Sequence, residues 1–307
     1  MQRRNEWMFP RGDLREEEWE SVVDSSLPGW KHTGLRVADL REGDELDLPA
    51  EGLERIVVPL SGGFTVQHQG AGPAIVSRLE GRASVFDGPT DVLYLSTVSS
   101  ATVSGVGRVA IAEAPSTSVH PSRHIRRDEV SVELRGAGRS SRQVHNFGLP
   151  GELEADRLIV CEVITPAENW SSYPAHKHDE DVPGHESRLE EIYYFESAVS
   201  RGLHAPANAE PFGFFSTSSS PAGEIAIDSP VRTGDIALVP FGYHGPAIAA
   251  PGYDLYYLNV MAGPGDERAW LISDHPAHGW IRETWNDQDI DARLPYTRST
   301  SEGSTHA

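Results

Sequence analysis

The residues best suited to chemistry in this chain are His176 and His178, flanking Lys177, then Glu190 and Glu191, and further on His244. On a β-strand successive side chains point to opposite faces, so both histidines of a His-x-His share one face while Lys177 points away, structural or solvated. Neutral imidazoles and a carboxylate bind Zn, Mn or Fe as borderline ligands. Four such ligands on an octahedral ion leave two adjacent positions, enough for two oxygens of one substrate. Within the Glu pair, alternation admits one carboxylate to the ligand face. Glu191, beside the run Ile192-Tyr193-Tyr194-Phe195, is the expected ligand; Glu190 is expected outward or in support. His244 follows the Pro-x-Gly turn Pro240-Phe241-Gly242 and is the expected fourth ligand. With 13 histidines in the chain, the His pair alone is a weak signal, and two solvated imidazoles are its plain alternative. The addition of Glu191 and His244 favours a metal.

The elements that must carry these residues read as short strands. Gly (29) and Pro (22) punctuate the chain about every ten residues, which suits an all-β sandwich or barrel. No convincing helical period appears between 34 and 265, although Leu14–Val23 could form one short helix. The two halves share a rhythm: Glu54–Gly62 stands where Glu190–Phe195 stands later, and Asp87–Leu95 parallels Gly234–Tyr243. Two related β-barrels in tandem are expected. The boundaries are an N-terminal arm (1–30), a first barrel (31–135), a second (136–285) and a partly disordered tail (286–307). The first half offers only Gln67-His68-Gln69 in place of His-x-His, so a single metal site belongs to the second half.

Composition excludes several partners. With 26 basic against 46 acidic residues, the formal net charge is −20, which argues against nucleic acid or an anionic membrane surface. No stretch approaches the roughly 20 apolar residues of a membrane helix. The single cysteine, Cys161, lies in an apolar run; it excludes an internal disulfide framework and fits a reducing cytoplasm.

At this point the residues carry a resemblance. Gly234, Pro240, Phe241, Gly242 and His244 look like the second cupin motif, and His176-x-His178…Glu191 looks like the first. Two departures from the common pattern, Trp170 where a glycine usually stands and the insertion Asp179–Leu189, point to one branch. So do Asn169–Asp179, Leu189–Tyr194, Val239–His244, Ala250–Gly263 and Trp280-Ile281. Together they resemble the 5-deoxy-glucuronate isomerase family of inositol catabolism, related to the 4-deoxy-5-keto-uronate isomerases, over about residues 30–285. The resemblance implies two tandem cupin barrels and a metal-dependent aldose–ketose isomerase taking 5-deoxy-glucuronate to 2-deoxy-5-keto-gluconate. It also implies one divalent ion (Zn or Mn, with Fe as an alternative) on His176, His178, Glu191 and His244.

Such a reaction needs a group that moves a proton and a cation for the substrate carboxylate. Glu190, Tyr193, Tyr194, Tyr243, Tyr257 and His185 are candidates for the first; Arg142, then Arg139 and Arg188, for the second. Asp179 is expected to orient a ligand imidazole, and Asp254 and Asn259 to form turns or meet substrate hydroxyls. The Asp179–Leu189 insertion is expected to act as a lid. His275 and His278 are expected to pack in a C-terminal loop. Two rivals share the ligand set: an Fe-dependent dioxygenase and a sugar-acid-binding module without turnover. A homodimer or larger ring is compatible with the exposed sheet edges of such barrels.

Overall fold

The computed structural model describes residues 6–297, and its regular elements are almost all strands. In the second half, one sheet runs in the order Met8–Phe9, Ile236–Val239, Glu190–Val199, Tyr253–Ala262, Ile159–Thr165, Arg142–Asn146 and Ser131–Arg135. Facing it, a sheet of shorter strands runs Asp228–Val231, Gly213–Ser218, Tyr243–Ala249, His176–Lys177 and Ser273–Asp274. The strand pairing therefore crosses both ends of the expected second barrel: Ser131–Arg135 precedes residue 136, and Met8–Phe9 comes from the N-terminal arm.

The first half is arranged around the long strand Ser100–Pro115. Its early residues pair with Glu45–Leu48 and Gly62–Gln69, and its later ones with Leu53–Pro59 and Gly34–Leu40. Gly105 and Gly107, both at positive φ, let one strand serve two sheets. The expected helix at Leu14–Val23 does not form. Ser21–Val23 pairs with Leu35–Val37 instead, burying Trp19 and Val22 on one face and Val23 on the other; the β-branched pair suits a pleated surface better than a helix.

Three apolar clusters follow from alternation. One fills the first half, around Leu46, Phe64, Val103 and Ile111. A second fills the second half, around Cys161, Tyr193, Phe195, Phe215 and Tyr257. The third lies between the halves, where Ile56, Val58 and Tyr94 meet Ile192, Tyr194, Tyr256 and Val260. The strand Glu190–Val199 thus sends odd-numbered residues into its own half and even-numbered ones against the other. Residues 288–297 are also anchored, since Leu294 and Tyr296 join the cluster between the halves. The expected disorder of the tail concerns residues 298–307, outside the described ones.

Candidate metal centre

His176 and His244 are direct antiparallel neighbours across two strands, their rings 4.5 Å apart. The His178 ring lies 4.6 Å from that of His244. Glu191 enters from the opposite sheet, its Oε2 2.9 Å from His178 Nε2 and 3.0 Å from His244 Nε2. Donor atoms of His178, Glu191 and His244 all lie within 4.8 Å of one another, and His176 flanks them beside His244. Gly242 makes the turn into this strand at φ +95, where a Cβ would meet Ile225 Cγ2 at 2.4 Å. No other residue fits.

Each imidazole is turned the same way. Nδ1 of His176 faces the carbonyl of Pro174, Nδ1 of His178 that of Leu189, and Nδ1 of His244 that of Gly242, each at 3.2 Å. A carbonyl only accepts, so it fixes the proton on Nδ1 and leaves the Nε2 lone pair for the centre. Nε2 of His244 is buried and, although 3.0 Å from Glu191 Oε2, makes no well-aligned hydrogen bond. Burial, then the neighbouring His244 ring, pushes the His176 pKa well below the ordinary imidazole value. Burial opposes ionisation of Glu191, but the facing His244 and His178 outweigh it and hold the carboxyl well below the usual range. Three neutral-capable imidazoles and one carboxylate, with an orphaned ring nitrogen among them, fit a borderline divalent cation.

This cluster opens into a cavity of about 530 Å³ lined by His176, Glu191, Ser172, Tyr193, Tyr257 and Asn259. Ser172 Oγ lies 3.2 Å from Tyr193 Oη and 3.0 Å from Tyr257 Oη, joining three hydroxyls in one group. Ser172 reaches this place with a positive φ of 45°. That backbone lies between the two short strands Trp170–Ser171 and His176–Lys177. Burial raises the Tyr257 pKa to about 12, so this phenol keeps its proton at neutral pH.

The opposite wall holds three guanidiniums, an unusual concentration for a chain of charge −20. Arg282 makes a double contact with Asp274 at 2.5 and 2.6 Å, and Arg135 pairs with Glu133 at 2.8 Å. Arg142 differs. It is buried, 5.4 Å above the Trp285 ring, and donates to the Ser140 carbonyl, yet among the described residues no carboxylate lies within 4.0 Å of it. Burial, and the like charges of Arg135 and Arg282, pull its pKa down to about 10, still cationic at neutral pH.

Several expected residues lie elsewhere. Glu190 turns to the other face of its strand, where its carboxylate accepts from the backbone N–H groups of Lys31 (3.1 Å) and His32 (2.7 Å); it belongs to the contact between halves and not to the cavity. Tyr194 faces the same way and bonds Arg108 and Glu196. Tyr243 meets His275 edge-on, His185 is exposed, Arg139 pairs with Glu168, and Arg188 lines a separate cleft. Asp254 is structural, accepting from Ala167, Ser200 and Tyr296. Asp179 touches no imidazole; Lys177, Ser220 and the Gly242 N–H take both its oxygens. Lys177 points away from the ligands as alternation requires but is buried, not solvated. Residues of the insertion line the second cleft and not the metal cavity, so the lid reading does not hold. Sequence reasoning missed Arg135, Arg282, Trp285 and Ser172. Only Ser172 carried a signal, through its place in the motif Asn169–Asp179.

Two β-sheeted halves in tandem, with histidines and a glutamate converging in one of them, make a cupin-type architecture. The structure matches that of the Lactobacillus farciminis oxalate decarboxylase formate complex with a TM-score of 0.60, covering 87% of this chain and 88% of that one, at 10% identity: a likeness of fold alone. The KduI/IolB family model matches residues 8–281, and the chain belongs to that family. It is 38% identical over 285 residues to the 5-deoxy-glucuronate isomerase of Geobacillus kaustophilus, covering 90% of this chain and 95% of that protein. The crystal structure of an IolB-like protein from Salmonella typhimurium LT2 matches with a TM-score of 0.78 at 34% identity, over 90% of this chain and 98% of that one. Among the described residues, no helix is long and apolar enough to cross a membrane.

Proposed function

We propose that this protein is a metal-dependent aldose–ketose isomerase that converts 5-deoxy-glucuronate to 2-deoxy-5-keto-gluconate in the cytoplasm. The relatives support the reaction. The observation that carries it to this chain is that the buried, carboxylate-free Arg142 and the His/Glu cluster share one cavity of sugar-acid size. The Nε2 atoms of His176, His178 and His244 and the carboxylate of Glu191 would hold the ion, Zn or Mn by donor type. When bound, it supplies Lewis-acid stabilisation of the charge that develops as the carbonyl moves to the neighbouring carbon.

The chain's own residues do the rest. Arg142, which no carboxylate of the described residues pairs, binds the substrate carboxylate with the N–H groups left by its bond to Ser140, and the Trp285 face orients it. Of the six proton-moving candidates only Tyr193 and Tyr257 line the cavity, and Ser172 holds their hydroxyls in one hydrogen-bonded group. Those phenols hold protons at Oη, within reach of a substrate oxygen. Asn259 offers an amide to the sugar hydroxyls.

The test is conversion of 5-deoxy-glucuronate followed by NMR without oxygen, with metal content measured in parallel. Turnover by the metal-loaded protein and its loss in His178→Ala and Glu191→Ala, together with the metal, are expected. Unchanged substrate with metal bound would sink the isomerase reading, and activity that requires oxygen would point to the dioxygenase.

A further inference from the structure

A second charged cluster lies behind the ligands. Lys177, between His176 and His178, is only 5% exposed, and its ammonium donates to Asp179 Oδ1 (2.7 Å), Glu180 Oε2 (2.6 Å) and Glu186 Oε1 (2.8 Å). The three carboxylates sit closely enough to hold a metal ion, and the lysine ammonium fills their centre instead. Glu186 Oε1 also accepts from the N–H groups of Asp179 (2.9 Å) and Glu180 (3.0 Å), so the insertion folds back onto the strand that leads into it. The other oxygen of Asp179 accepts from Ser220 and, at 2.8 Å, from the N–H of Gly242. The Gly242 carbonyl is the group that orients His244, and the Leu189 carbonyl, at the far end of the insertion, orients His178.

We infer that Lys177 and Asp179 are positioning residues: an internal ammonium–carboxylate clamp that ties the His176/His178 strand to the Gly242–His244 turn and sets the spacing of the ligand nitrogens. This rests on the metal-centre reading for its consequence but not for its geometry. A buried lysine is retained where three acidic partners satisfy all three of its N–H donors. The clamp joins the segment before Glu191 to the segment carrying His244, which are 63 residues apart at the Asp179–Gly242 contact. The insertion is thus a strut that brings Glu186 to the clamp and the Leu189 carbonyl to His178.

The test uses the full chain with Asp179→Asn. The amide must place an N–H₂ against either the Lys177 ammonium or the Gly242 N–H, both of which need acceptors. Two readouts are made. Hydrogen–deuterium exchange over residues 240–246 in metal-stripped protein should quicken in the variant while strands of the first half keep their protection. Zn or Mn affinity, measured by competition with a chromophoric chelator, should fall about ten- to a hundredfold, with KM for the sugar acid little changed in the metal-saturated enzyme. Unchanged exchange at 240–246 overturns the clamp. Faster exchange in a protein whose wild type binds no Zn or Mn keeps the clamp and overturns the metal centre. If Asp179→Asn does not fold, Ser220→Ala, which removes one donor from the same oxygen, gives the same readouts at smaller size, and wild-type values there overturn the inference.

Discussion

Arg82, from the first half, and Glu162, from the second, form a two-pronged ion pair in full burial, with both contacts at 2.6 Å. His145 (2.5 Å) and Tyr256 (2.7 Å) donate to the same carboxylate, so every oxygen is occupied. Removing one partner leaves a buried charge uncompensated, a loss of about 3–5 kcal/mol. Arg82→Met and Glu162→Gln should each lower the urea midpoint accordingly, and the double variant should recover part of the loss.

The same pair fixes an acid limit. Burial works against the Glu162 charge, but Arg82 outweighs it and draws the pKa from 4.5 down to about 2. The folded value lies below the unfolded one, so this stabilisation is complete above pH 4.5 and is lost as pH falls from there toward 2. The span corresponds to about 3 kcal/mol. Urea midpoints between pH 7 and 3 should fall less steeply for Glu162→Gln than for the wild type; parallel slopes would remove Glu162 as the cause.

Adjacent glutamates should behave oppositely. Glu191→Gln is expected to lose the metal and activity together. Glu190→Gln should keep metal content and leave kcat within about twofold, while losing on the order of 1–2 kcal/mol of stability as the Lys31 and His32 N–H groups trade a charged acceptor for a neutral one. Metal analysis beside a thermal melt separates the two.

Arg142→Met should raise KM for the sugar acid about ten- to a hundredfold, the value of a hydrogen bond to a charged group. Arg139→Met and Arg188→Met should not. A substrate analogue lacking the carboxylate should bind the wild type and Arg142→Met alike, and a difference there would place the carboxylate elsewhere.

Tyr257→Phe removes one hydroxyl from the Ser172 group without changing the packed ring. It is expected to lower kcat by about a hundredfold with less effect on KM. Steady-state rates for Tyr257→Phe, Tyr193→Phe and Ser172→Ala show whether one phenol or the whole group carries the proton.

The convergence of His176, His178, Glu191 and His244 was legible because it rests on local rules. Alternation chose Glu191 over Glu190, and a turn motif singled out His244. The all-β class followed from Gly and Pro spacing in the same way. The rest depended on contacts between distant segments. Lys177 reads only as an outward lysine, structural or solvated, until Glu186 folds back over it. Arg282 and Trp285 come from a 3₁₀ segment, Gly279–Asp287, that reaches the cavity through contacts with residues more than a hundred positions earlier in the chain. Arg135 ends a strand that sequence rhythm assigned to the other half, and only the pairing with Arg142–Asn146 brings it to the site.

The strand Glu190–Val199 has a consequence for how this protein can change. Its odd positions face the candidate metal centre and the core of its own half, and its even positions face the junction with the first half, so a single-residue insertion or deletion within it exchanges the two sets at once. The first half is therefore under constraint as well: it holds the register that keeps Glu191 facing inward. Variation there should be tolerated by substitution and not by length.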